Sequence, residues 1–65
     1  MTLSEIKQAI ANGQTVHWSN DGYIVIKDSL NQYLIKFVSN NFCIGLTHQD
    51  GITLNGDESD FYIGI

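Results

Sequence analysis

Sixty-five residues with a net charge of −4 make one domain, near the lower limit of independent folding, where about 60% of the unfolded chain's surface becomes buried. A ligand pocket of roughly 300–1,000 Å³ takes up much of the core such a chain can build, which counts against an enzyme. The apolar fraction of 43% is too high for disorder, and seven acids against three lysines and no arginine leave nucleic-acid phosphates no basic patch.

The chain opens on Thr2-Leu3-Ser4-Glu5, a capping box in which the Thr2 hydroxyl takes the Glu5 amide and the Glu5 carboxylate reaches back. Leu3, Ile6 and Ile10 recur at spacings of three and four, with Ala9 beside them, and Asn12-Gly13 supplies a left-handed stop. This predicts one amphipathic helix over residues 3–12, too short to stand alone and so laid on a sheet. Residues 15–18 read as a first strand, with Val16 and Trp18 on one face and Thr15 and His17 on the other. Ser19-Asn20-Asp21-Gly22 is a turn with hairpin chemistry. Residues 23–27 form the second strand, with Ile24 and Ile26 expected inward and Lys27 outward. Residues 28–31 then turn the chain.

Two apolar runs follow, 33–38 and 42–47, joined by Ser39-Asn40-Asn41. They predict a β-hairpin with a three-residue loop, around which the rest packs. Tyr33, Ile35, Phe37, Phe42, Ile44 and Leu46 are expected on the core side, since that choice turns Lys36 and Thr47 to water. Another turn over 48–51 leads to a short strand, 52–54. Asn55-Gly56 breaks it, 57–60 is an acidic loop or single helical turn, and 61–63 returns as a last edge strand. All six asparagines fall at these breaks, so local chemistry and global pattern agree. The expected fold is α+β: one short N-terminal helix packed on an antiparallel meander sheet of about five strands, in a single domain over residues 1–65.

The single cysteine excludes an intramolecular disulfide, and Cys43 reads as a packed thiol that needs a neighbour to cover it. No basic segment precedes an apolar core at the N-terminus, and no run approaches the roughly 18–20 residues of a membrane span. The expectation is a soluble, cytoplasmic protein. Cys43 and His48 suggest a nucleophile–base pair, but this half of the chain has no cation to sustain a reactive thiolate. No catalytic residue is therefore assigned. His17, His48 and Cys43 lack the closely paired spacing of a zinc site, and Asp57-Glu58-Ser59-Asp60 lacks the spaced ligands of a calcium loop. Neither a metal nor any cofactor is expected.

Charge is distributed unevenly. Through residue 36, Glu5, Asp21 and Asp28 balance Lys7, Lys27 and Lys36; beyond it, Asp50, Asp57, Glu58 and Asp60 face no base. The bland reading is a solvated acidic face that keeps a small protein dispersed. The sharper one is a surface that docks on a basic, nucleic-acid-binding protein, with carboxylates spaced on the scale of successive phosphates. Tyr62 alternates with Phe61 and Ile63; with those inward it points out and joins the surface.

Residues 15–23, 25–29, 32–36, 43–47 and 50–56 together resemble small proteins of phages and mobile elements. That group includes anti-CRISPR inhibitors of type I systems, in particular type I-C. The resemblance covers about residues 3–62 and rests on strand and turn signatures; His48 stands where it leads one to expect a tryptophan. It implies a non-enzymatic inhibitor that binds a type I CRISPR surveillance complex and blocks target DNA by mimicry. Its contact surface is then Asp50, Asp57, Glu58, Asp60 and Tyr62, and it touches neither nucleic acid nor membrane directly. The alternative is a phage structural or assembly protein whose acidic face is only solvated.

Overall fold

Thr2 starts α1 (Leu3–Ala11) with the expected reciprocal cap. Its hydroxyl accepts from the Glu5 amide at 3.1 Å, and the Glu5 carboxylate accepts from the Thr2 amide at 2.7 Å. The Thr2 amide first, and the Thr2 hydroxyl second, hold the Glu5 carboxyl below its ordinary pKa. The helix ends at Asn12, and Gly13 takes a φ of 79° that only glycine adopts freely.

The structure is a computed structural model that describes residues 1–64. Five strands follow α1: β1 (Thr15–Trp18), β2 (Asn20–Lys27), β3 (Tyr33–Phe37), β4 (Phe42–Gly45) and β5 (Phe61–Gly64). They form one sheet in the order β4-β3-β2-β1-β5, with every pairing antiparallel. This is the α+β architecture expected from the sequence. β1 to β4 run as a meander, and residues 46–60 then carry the chain to the far edge, where β5 pairs with β1. Of the short strand expected at 52–54, one bridge remains, Thr47 to Leu54.

The first turn is tighter than expected. Only Ser19, at φ 68°, lies between β1 and β2. Pairing jumps from His17–Ile24 to Trp18–Asn20, so Asp21, Gly22 and Tyr23 are accommodated as a bulge. The Asn20 side chain accepts the Gly22 amide at 2.8 Å and holds that bulge in place.

Register decides which side chains face α1. Val25, Ile35 and Ile44 are direct cross-strand neighbours and so share a face. The buried core is Ile6 and Ala9 of α1, with Val16, Val25, Ile35, Leu46 and Phe61. Ile24 and Ile26 thus point away from α1, contrary to the expectation. The run Ile24-Val25-Ile26 is apolar on both faces, so alternation alone cannot choose between them. Phe42 is also corrected: it lies on the core side by register but is 62% exposed. The cause is its place on edge strand β4, while α1 packs on β1 and β2. Cys43 is exposed rather than covered. Leu54 packs onto the core from the 46–60 segment. Among the described residues, no helix is long and apolar enough to cross a membrane.

Candidate acidic surface

Three carboxylates stand on a single 3-10 turn, Glu58–Asp60, and on Asp57 at its start. Backbone bonds hold that turn. The Asp60 amide donates to the Asp57 carbonyl at 3.0 Å, the Ser19 amide donates to the Asp60 carbonyl at 2.8 Å, and the N-terminal ammonium of Met1 donates to the Glu58 carbonyl. Just before it, Gly56 passes against the Trp18 indole so closely that a Cβ would meet Nε1 at 2.6 Å. No side chain caps the turn. Asp57, Glu58 and Asp60 are exposed, and the backbone fixes their positions.

Immediately after the turn, β5 alternates its faces. Phe61 goes into the core, and Tyr62 lies on the opposite side of the sheet across from His17, with ring centroids 5.3 Å apart. The Tyr62 hydroxyl donates to the Asp21 carboxylate at 2.5 Å. That bond stabilises the neutral phenol, and it pushes the Tyr62 pKa above its ordinary value of 10.0. Asp21 thus joins the acidic end. Sequence reasoning balanced it against nearby lysines instead, because its proximity arises only once β5 crosses to β1.

Asp50 sits elsewhere. One of its carboxylate oxygens accepts the Ile52 and Thr53 amides at 2.9 Å each, and the other accepts the Thr53 hydroxyl at 2.7 Å. These donors, with the Ile52 amide foremost, lower the Asp50 pKa from 3.8 to about 2. Its loop hangs from the sheet end opposite Asp60: the Leu46 amide bonds the Tyr33 carbonyl, and Tyr33 pairs with Lys27, the last residue of β2. At that same end Lys7 and Lys27 place their ammonium groups 5.2 and 5.8 Å from the centre of the Tyr33 ring. Asp21, Asp57, Glu58 and Asp60 thus gather at one end of the sheet, while at the other Lys7 and Lys27 stand with Asp28 and the Asp50 loop.

The other residues singled out by sequence are scattered. The Cys43 thiol is 3.6 Å from the Asn41 carbonyl, while His48 lines an open groove of about 430 Å³ with Lys7, Tyr33 and Thr47. The His17 Nδ1–H donates to the Tyr23 carbonyl at 2.9 Å, within the bulge. Among the described residues no three His, Cys, Asp or Glu side chains are grouped to hold a metal ion. No protein-family model matches the chain, and comparison with curated proteins and with solved structures finds no significant match.

Proposed function

We propose that the protein is a non-enzymatic inhibitor whose acidic end occupies the DNA-binding surface of a bacterial type I CRISPR surveillance complex and so blocks target DNA. The observation that carries this reading is the exposed set Asp57, Glu58 and Asp60 on a turn pinned by its backbone, joined by Asp21 through Tyr62. Carboxylates on a fixed backbone lose little freedom on binding, which favours a surface that copies the charge of a phosphate strand. The resemblance to small phage proteins points the same way. In this reading Asp57, Glu58 and Asp60 meet lysines and arginines of the partner, and Tyr62 with Asp21 forms the border of the contact. Asp50 belongs to the fold of its own loop.

Steering between an acidic and a basic surface weakens with ionic strength. Association of the purified protein with a purified type I surveillance complex is therefore expected to slow steeply as salt rises. It is expected to slow similarly at low salt when Asp57, Glu58 and Asp60 become Asn, Gln and Asn. Association indifferent to both changes would leave an acidic face that is merely solvated, as in a phage assembly component.

A further inference from the structure

The sheet face turned away from α1 carries one unbroken row across all five strands: Cys43, Lys36, Ile24, His17 and Tyr62, each the direct cross-strand partner of the next. Beside it, Leu34 and Ile26 pair on the same face. Ile24, Ile26 and Leu34 are partly exposed and stand outside the core cluster. A central strand reading Tyr23-Ile24-Val25-Ile26 is apolar on both sides, the pattern of a strand covered on both faces. The chain covers one.

We infer that the second face is covered by another copy of this chain, with Lys36 of each copy set against the Tyr62–Asp21 pair of the other. The order of the row selects this occupant. A twofold axis parallel to the strands and midway between β2 and β1 reverses the row. Ile24 then lies over His17 of the partner copy, and Lys36 over Tyr62, whose hydroxyl is bonded to Asp21. A twofold contact needs this self-complementarity, in which each of two different residues meets the other. Here it places the only lysine of the row against a carboxylate, twice, around a centre in which Ile24 of each copy lies over His17 of the other. Two sheets packed in this way keep their strands within about 30° of each other and about 10 Å apart. Five strands at about 4.8 Å spacing give a face about 24 Å wide, and the contact falls at the small end of dimer interfaces, below about 1,200 Å² in total. The dimer is therefore weak and concentration-dependent. The same axis keeps strand direction, so both acidic ends emerge at one end of the pair.

Sedimentation of the parent protein between about 10 μM and 1 mM, at about 0.15 M salt, reads the association. The mass is expected to rise from 7.3 kDa toward twice that value across the range. Lys36→Asp alone sets two acids against each other, and Asp21→Lys alone sets two lysines against each other, so each variant is expected to remain monomeric. Mixed in equal amounts they restore both charge pairs between unlike copies, and the mixture is expected to dimerise. Its dimerisation also shows that both variants fold. A parent that stays at 7.3 kDa throughout overturns the inference and leaves the face to some other protein. A parent that dimerises while the mixture does not overturns the proposed geometry.

Discussion

The Tyr62 hydroxyl donates to the Asp21 carboxylate across 41 positions of chain, tying the last strand to the bulge that opens β2. The bond holds the phenol in its neutral form, so Tyr62 is expected to ionise above 10.0. The sign follows: a folded pKa above the unfolded one gives a contribution fully present below about pH 10, lost as pH rises through the raised value. NMR of labelled tyrosine rings during an alkaline titration checks it. Asp21→Asn is expected to bring the Tyr62 midpoint back down; an unchanged midpoint means the bond does not form in solution.

Asp50 gives the opposite sign. Its folded pKa is about 2 against an ordinary 3.8, so its contribution is present above pH 3.8 and is lost as pH falls toward 2. Asp50→Ala leaves the Ile52 and Thr53 amides without their acceptor. Those two amides are expected to exchange with solvent faster in the variant at neutral pH, while the amides of β1 to β3 keep their protection. Uniform loss of protection across the sheet would show that the loop is not a separate unit.

The centre and the edge of the core-side face differ in what truncation costs. Ile35 and Leu46 are 1% and 0% exposed, so Ile35→Ala and Leu46→Ala are expected to cost about 2–5 kcal/mol each. That is much of the ~5 kcal/mol that a domain at the low end of stability possesses. Phe42→Ala is expected to cost no more than about 1 kcal/mol, because that ring is already 62% in water. Chemical denaturation of the three variants orders them, and a Phe42→Ala loss equal to that of Ile35→Ala would contradict the exposure of Phe42 on edge strand β4.

Gly56 lies where a methyl group has no room, with its Cβ position 2.6 Å from Trp18 Nε1. Gly56→Ala is expected to lower the melting temperature and shift the fluorescence of Trp18, the only tryptophan. Its indole N–H is buried and has no hydrogen-bond partner among the described residues, so displacement of the ring toward water should move the emission to the red. Unaltered emission would mean that the 46–60 segment yields instead of the indole.

The helix was legible to within a residue because its signals are local: Thr2 and Glu5 at one end, Asn12 and Gly13 at the other. The strands were legible from composition, and β5 even as an edge strand. Which face of β2 enters the core was not, because Ile24, Val25 and Ile26 are equally apolar and only pairing with Ile35 separates them. The acidic turn was visible as charge. That Asp21 belongs with it, and that Asp50 turns its carboxylate into its own loop, depend on where residues 46–60 cross, which no local pattern encodes.

Competition with target DNA tests the proposed function most directly. Purified type I surveillance complex is loaded with labelled target duplex and challenged with the parent protein or with the Asp57→Asn, Glu58→Gln, Asp60→Asn variant at equal concentrations. Surface changes of this kind alter stability by no more than about 0.5 kcal/mol each, so both proteins enter the assay folded, which a thermal melt verifies. The parent is expected to displace the DNA and the variant to leave it bound. Equal displacement by both, or none by the parent, would contradict the account.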